Sequence, residues 1–315
     1  MGSGDQRVGK LLEDHVKENN SPRTHQSYES HVPVWLKPTI ENIRLDKLKA
    51  ADIRRMLKNT EKKRSAATAL PVFTTLKIAL NCAVKIEELI TQNVTLQVAS
   101  PKPKKFQPNV PNEKELKEII AVADQASLKN VVRLAVATGM RRGELVALRW
   151  DNVDLDDMDE GRVRVVDAAV RVRGKGQTIG DPKSEESKRM IPIDANTTVM
   201  LRTHLAQQNE YMLSLGEVYK NQNFVFANLI SNMLDLDHVS QGFKRITVKA
   251  GHPKARLHDL RHYNASRLTA KGATFISVKE RLGHASAAFT MNTYLHGTEN
   301  DQRAAAEAMS EMFAT

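Results

Sequence analysis

Apolar residues recur at helical spacing through the first hundred positions of the chain. Residues 8–17 place apolar side chains three or four positions apart, which predicts a helix. Ser21 and Pro22 are typical of a helix N-cap and first turn, so a second helix begins there. The pattern predicts a third helix over residues 48–57 and a long fourth over residues 66–85. We therefore expect residues 1–98 to form a small helical domain.

A proline-rich segment follows this helical region. Residues 99–111 contain four prolines and three lysines. Because proline sustains neither a helix nor a central strand, the segment is predicted to be an extended linker between two domains. Its lysines could lie along an anionic partner or simply be solvated.

The second half of the chain alternates between helical and strand patterns. A capping signature at Asn112 opens a helix, and the apolar run 131–137 ends at Gly139, which can supply a positive φ. A short helix is predicted over residues 144–148. Residues 163–166, 169–173 and 189–193 alternate in the manner of strands, and helices return from Thr197.

These patterns predict a mainly α fold with a small antiparallel β-sheet inserted between helices. The sheet and its surrounding helices belong to a second domain over residues 112–298. An amphipathic tail helix is expected over residues 299–315.

Charge suggests a polyanionic partner. The 315-residue chain is 41% hydrophobic and 27% charged, as in folded proteins, and its net charge is +10. Residues 1–107 carry 19 Lys and Arg against 11 Asp and Glu, and so hold +8 of that excess. Nucleic acid is the natural partner of such a surface, although a solvated basic face is the plain alternative.

The apolar runs, the N-terminal residues and the cysteine content of the sequence indicate a cellular compartment. No uninterrupted apolar run approaches the roughly 20 residues of a membrane helix, and the first residues lack a signal pattern, so we expect no membrane partner. The one cysteine, Cys82, lies in an apolar stretch typical of a small core residue. A reducing cytoplasm suits such a chain.

Six residues in the second half could together handle a phosphodiester without a metal. Arginines neutralise non-bridging oxygens, a tyrosine can attack phosphorus, and lysine or histidine can move protons. In chain order these residues are Arg141, Lys183, His258, Arg261, His284 and Tyr294.

Local context supports some of these residues and leaves others open. Arg141 follows the helix-ending Gly139 beside free backbone N–H groups, which suits an anion. Glu144 is expected to buttress this arginine or to bind backbone. The alternative for Arg141 is a surface salt bridge.

The segment His258-Asp259-Leu260-Arg261-His262 has two possible interpretations. His258 and Arg261 lie three positions apart and share a helix face, so both could meet one phosphate. His258 and His262 are four apart, which is also a zinc-ligand spacing, but the residue after His258 is not the glutamate of that motif. We expect His262 to be a packed core histidine.

Four sequence motifs resemble those of the tyrosine recombinases, the phage integrase family. They are Ala-Thr-Gly-Met-Arg-Arg-Gly-Glu-Leu ending at residue 145, His-Asp-Leu-Arg-His, Leu-Gly-His-Ala-Ser at residue 282 and the Thr-Tyr pair at residue 294. The likeness covers about residues 112–297. Lys183 is chosen as the hairpin lysine from this resemblance, and Lys175 and Lys188 are its rivals.

The resemblance implies a mechanism. A two-domain clamp would hold duplex DNA at attachment sites while Tyr294 attacks the scissile phosphate and forms a 3′-phosphotyrosyl link. Arg141 and Arg261 would stabilise the transition state, and Lys183 would protonate the leaving 5′-oxygen. His258 would accept the tyrosine proton as a general base or relay it. His284 would bond a non-bridging oxygen. No cofactor, neither ATP nor metal, is implied.

The resemblance also implies a biological setting. The enzyme would integrate or excise a mobile element such as a phage genome in the cytoplasm of a bacterial host. It would act as a homotetramer on DNA, with residues from about 300 docking on a neighbouring protomer or packing on their own domain. Accessory DNA-bending or directionality proteins are possible partners.

Three other classes of function share part of this pattern. A type IB topoisomerase would relax DNA without a partner site. A catalytically silent repressor would bind DNA without a covalent adduct. A metal nuclease would need a carboxylate cluster, for which the motifs offer only Glu144 and Asp259.

Overall fold

The computed structural model describes residues 30–40, 43–85, 88–104, 108–157, 159–172, 174, 176–180, 187–230 and 232–283. The chain forms two compact units. The first comprises Met1–Gln107 with Val172–Gly174, and the second comprises Pro108–Arg171 with Lys175–Thr315. The two helices predicted before residue 30 and the tail helix lie outside the described residues.

The first unit is helical in its described part. A π-helical turn over Val32–Leu36 runs into α1 (Lys37–Ile40), and α2 (Ala50–Lys63) and α3 (Ala66–Lys85) follow. On α2, Ile53, Met56, Leu57 and Thr60 are buried at helical spacing, and the first three pack in the core with residues of α3. The basic run at residues 62–64 is exposed at the end of α2.

Helix α3 matches its predicted bounds and forms the centre of the first unit. Its buried side chains include Phe73, Leu76 and Leu80. Among the described residues, α3 is the one helix that is long and apolar enough to cross a membrane by length and composition. The sequence has no uninterrupted apolar run of that length, so a helix of this composition was not expected. Its burial in the core of the first unit accounts for that composition, and Cys82 on it is half-buried.

The second unit begins with three helices that confirm the predicted pattern. Helix α4 (Glu113–Ala123) is capped by Asn112, whose side chain accepts the Glu115 N–H at 3.0 Å. Helix α5 (Lys129–Thr138) ends at Gly139, and α6 (Arg142–Ala147) follows. Helix α6 begins two residues before the predicted start, because Glu144 caps it from inside rather than opening it.

The predicted single sheet is two sheets. Strands β1 (Val153–Asp154), β2 (Glu160–Val165) and β5 (Arg189–Asp194) form an antiparallel sheet with β2 in the middle. Strands β3 (Ala168–Val172) and β4 (Gly176–Gly180) pair separately. Both edges of β2 are occupied, so β3 has no place beside it.

Four helices complete the described part of the second unit. They are α7 (Ala195–Leu215), α8 (Leu236–Lys249), α9 (Leu257–Ala270) and α10 (Phe275–Leu282). Helix α9 packs on α5, and α10 packs on α9 and on β5. The fold is therefore mainly helical with small sheets, as the sequence predicts.

Candidate active site

The turn after α5 brings two helix ends close together. Gly139 has a φ of 66°, a left-handed conformation that favours glycine, and its N–H donates to Ala135 O. A Cβ on Gly139 would lie 2.5 Å from Cδ2 of Leu282, the last residue of α10. Glycine is therefore needed at this turn both for its conformation and for the close approach of α10.

Arg141 lies just beyond this turn and is held by its own helix. Its backbone N–H donates to Glu144 Oε2 at 2.8 Å, and its Nη1 donates to Glu144 Oε1 at 2.7 Å. Its Nη2 donates to the Gly283 carbonyl at 2.6 Å. The side chain is fixed by these bonds and stays 37% exposed. Both expected roles of Glu144 are present at once.

Arg261 reaches the same place from α9. Its Nη1 donates to the Gly139 carbonyl at 2.8 Å and its Nη2 donates to the Leu282 carbonyl at 2.5 Å. The residue is only 2% exposed. Arg261 therefore ties the end of α5 to the end of α10. Of the two arginines, Arg141 is the one with substantial solvent exposure.

Three arginines from three segments meet the last turn of α10. The carbonyls of Arg281, Leu282 and Gly283 accept hydrogen bonds from Arg189, Arg261 and Arg141, respectively. Carbonyls at a helix C-terminus lack partners within the helix and carry the negative end of its dipole, so cations stabilise them. The arrangement fixes the point from which the chain continues to His284.

His258 lies at the start of α9 and is exposed. Its ring meets that of His262 edge-on, with ring centroids 5.0 Å apart. The neighbouring Asp259 is fully buried and accepts hydrogen bonds from the backbone N–H and side chain of Arg256, which fixes the first turn of α9.

The pKa of His258 is lowered to about 4. Although the residue is exposed, nearby protein atoms partly desolvate the ring, and His262 and Arg261 oppose a further positive charge. His258 is therefore a neutral imidazole near pH 7. In the part of the chain that the structure describes, no group of three or more metal-ligating side chains forms around the two histidines.

The sequence model of the phage integrase family matches residues 109–301 of this chain. The chain belongs to the phage integrase family. It is a site-specific tyrosine recombinase, the class of DNA strand-breaking and rejoining enzyme that the motifs indicate.

Individual relatives agree over most of the recombinase. A tyrosine recombinase XerC-like protein of Caldanaerobacter subterraneus subsp. tengcongensis is 27% identical over 95% of this chain and 80% of its own length. The Tn1549 transposon integrase, solved with transposon right end DNA, matches with a TM-score of 0.80 at 18% identity and covers 97% of this chain and 100% of its own.

A lambda integrase tetramer bound to a Holliday junction matches with a TM-score of 0.65 at 19% identity. The match covers 93% of this chain and 80% of that one. At these identities the solved structures show that the fold of the recombinase is shared.

The structure describes half of the six site residues named from the sequence. Arg141 and Arg261 converge on the end of α10, and His258 lies on the same helix as Arg261. The other three, Lys183, His284 and Tyr294, lie outside the described residues. Of the rivals to Lys183, Lys188 is exposed and Lys175 is outside the described residues.

Sequence reasoning missed Arg189, which shares Glu144 with Arg141. The strand pattern contained the signal, because side chains two apart on a strand share a face. Arg189 has the same parity as Ile191 and Ile193, both buried on β5. An arginine on a buried strand face needs a partner, and Glu144 is that partner.

Proposed function

We propose that the recombinase exchanges DNA strands through a covalent 3′-phosphotyrosyl intermediate on Tyr294. The observation that supports this most strongly is the convergence of Arg141 and Arg261 on adjacent carbonyls at the end of α10. His284 is the next residue of the chain, and Tyr294 follows ten residues later. Two fixed cations would thus lie at the start of the segment that carries the nucleophile.

The arginines would act on the scissile phosphate. Arg141, whose side chain is part-exposed, would contact a non-bridging oxygen, and the buried Arg261 would add positive charge nearby. Charge placed in advance where negative charge develops stabilises a transition state, and loss of one such donor typically slows a reaction about 100- to 1000-fold. His284 would add a hydrogen bond to a non-bridging oxygen.

The bond changes balance without a cofactor. A bond forms between the Tyr294 oxygen and phosphorus while the bond from phosphorus to the 5′-oxygen breaks. The tyrosine proton passes to His258, and Lys183 gives a proton to the leaving 5′-oxygen. A 5′-hydroxyl of a partner strand then attacks the phosphotyrosine and reverses the steps, so the bond energy is conserved.

His258 suits the role of proton acceptor because it is neutral and exposed at the start of α9. A protonated histidine has no lone pair to offer. Its low pKa makes it a weak base, so the positive charge of the arginines must also lower the pKa of the tyrosine, whose usual value is about 10.

The biological role follows from the relatives named above. We infer that the recombinase binds duplex DNA attachment sites with two domains, over residues 1–98 and 112–298, and that residues 99–111 link them. Integration or excision of a mobile element fits the likeness to a transposon integrase. A homotetramer, joined through residues 299–315, fits the lambda integrase tetramer. We further propose that accessory DNA-bending or directionality proteins assist the recombinase and that it acts in the cytoplasm of a bacterial host.

Covalent trapping tests the proposal. Wild type and Tyr294→Phe are mixed with fragmented DNA of the source genome, the reaction is stopped with detergent, and the attached DNA is sequenced. We expect an adduct at one short inverted repeat that forms in the presence of a chelator and is absent in Tyr294→Phe.

Each of the other possible outcomes would indicate a different class of function. Adducts scattered without sequence preference would indicate a type IB topoisomerase. Cleavage that needs a metal and leaves no adduct would indicate a nuclease. Tight binding without any adduct would indicate a repressor and would contradict the proposal.

A further inference from the structure

Arg189 occupies an unusual place for a charged residue. It is the first residue of β5, opposite Val165 of β2, and its side chain is only 6% exposed. Ile191 and Ile193 on the same strand face belong to the hydrophobic core. Burying a guanidinium among such neighbours is costly unless its donors are satisfied.

Its donors are directed at three different segments. Nη2 and Nη1 donate to the two oxygens of Glu144 at 2.8 and 3.2 Å, as a fork. Nη1 also donates to the Ser187 carbonyl at 3.0 Å, and Nε donates to the Arg281 carbonyl at 2.7 Å. Arg189 thereby joins β5 to α6 and to the last turn of α10.

The charge of Glu144 gives Arg189 a second effect. This carboxylate is 2% exposed and accepts from both Arg141 and Arg189. Burial raises its pKa, but the hydrogen bond and charge of Arg189, with the charge of Arg141, lower it to about 2. One anion between two cations leaves a net charge of +1, whereas Glu144 with Arg141 alone would be neutral.

We propose that Arg189 is a positioning residue for strand cleavage, which keeps the cluster of Arg141, Glu144 and Arg189 at a net positive charge beside the scissile phosphate and fixes the end of α10 before His284. The inference rests on the proposed function, because it assumes that Arg141 meets that phosphate. The plain alternative is that Arg189 only holds the fold together.

The test compares rate constants rather than yields. DNA fragments trapped by the wild type are mixed with excess protein, and the single-turnover rate constant of adduct formation is measured. This constant does not depend on how much protein is folded, and thermal unfolding reports stability separately. The variants are Arg189→Met, Arg189→Lys and the double variant Arg189→Met with Glu144→Gln.

We expect Arg189→Met to slow adduct formation about 100-fold, as a misplaced catalytic group does. The rate constant of Arg189→Lys should lie between those of the wild type and Arg189→Met, because lysine keeps the positive charge but cannot form the two-pronged hydrogen bond to Glu144. The double variant also removes the negative charge of Glu144, which returns the net charge at Arg141 to +1. Its rate should therefore be about tenfold higher than that of Arg189→Met, the range of coupling between residues in contact.

A matched control separates the site from ion pairs in general. Arg133 forms a similar fork with Asp124, at 2.7 and 2.6 Å, on the surface between α4 and α5. Arg133→Met should keep the wild-type rate constant. A slowed Arg133→Met would show that any lost arginine pair slows this enzyme, and would overturn the inference.

Two results would overturn the inference while the proposed function stands. One is an Arg189→Met protein with a wild-type rate constant, and the other is a folded double variant no faster than Arg189→Met. If Arg189→Met does not fold, Arg189→Lys decides in the same way: a slowed rate supports the inference and a wild-type rate overturns it. A wild type that forms no adduct would overturn the proposed function and this inference together.

Discussion

Glu144 is the residue whose ionisation holds the arginine cluster together. Its folded pKa of about 2 lies below the usual value of 4.5. A carboxylate with a depressed folded pKa stabilises the fold above its unfolded pKa, and this stability is lost as pH falls through the folded pKa. The window for Glu144 is therefore pH 4.5 down to about 2.

A pH titration of stability tests this reading. The free energy of unfolding of wild type should exceed that of Glu144→Gln by about 3 kcal/mol at pH 7, and this difference should shrink as pH falls from 4.5 to 2. Urea unfolding at a series of pH values measures both proteins. A difference that stays constant with pH would show that the carboxylate charge is not what stabilises the fold.

His258 provides a second measurable pKa. Its nuclear magnetic resonance titration midpoint in the free protein should lie near 4, not near 6.5. The resonance is identified by its loss in His258→Gln. In His262→Asn the midpoint should rise, because the charge of His262 is the second cause of the shift after desolvation. A midpoint near 6.5 in the wild type would contradict the desolvation of this ring.

The sequence alone predicts which residues form the site but not how they meet. It names Arg141, His258 and Arg261 from motifs, but their meeting at the end of α10 depends on how α5, α9 and α10 pack. The 2% exposure of Arg261 has the same origin, because its carbonyl partners belong to distant segments. Arg189 was within reach of the sequence, since the alternation on β5 places it inward.

The ends of α5 and α10 are the elements on which the site depends. A Cβ on Gly139 would lie 2.5 Å from Cδ2 of Leu282, and Gly139 also has a positive φ. Gly272 also has a positive φ, of 84°, but a Cβ there would meet nothing within 4 Å. The two glycines thus separate backbone strain from loss of helix contact.

Alanine at these two glycines should have different effects. Gly272→Ala should lower the free energy of unfolding by about 1 kcal/mol, the cost of a non-glycine residue at positive φ. Gly139→Ala should lower it by roughly 3 kcal/mol, because overpacking adds to the strain. Thermal unfolding measures both variants. Equal losses would show that α5 and α10 are not held at this contact.

Element bounds were predictable where local signals dominate. Helix α3 occupies Ala66–Lys85, as its pattern predicts, and α4 begins at its capping box. The split of one predicted sheet into two was not predictable, because strand alternation does not say which strands pair. Helix α6 starts early because Glu144, read as its first residue, caps it from its third position.

Positive charge along the chain is concentrated in the first unit. Residues 1–107 hold +8 of the net +10, and Lys62, Lys63 and Arg64 are exposed at the end of α2. Phosphate contacts release counterions, so log Kd changes with log salt concentration by about 0.9 for each contact.

Replacing these three residues by glutamine should weaken binding to duplex DNA and reduce the salt slope by about 1 to 3. The control replaces three exposed lysines of the second unit, Lys220, Lys249 and Lys254, and should leave the slope nearly unchanged. Fluorescence anisotropy at several salt concentrations measures both. Equal slopes in the two triple variants would place the main phosphate contacts elsewhere.

Tyr294 is the residue that we expect to form the covalent bond to DNA. The most direct measurement digests the trapped adduct with protease and nuclease and identifies the modified peptide by mass spectrometry. The chain has five tyrosines, so the experiment has four competing answers of the same chemistry. We predict a nucleotide joined through its 3′-phosphate to Tyr294, with a free 5′-hydroxyl on the other strand end. A nucleotide on another residue, such as Tyr263 of α9, or a link through a 5′-phosphate, would contradict the account.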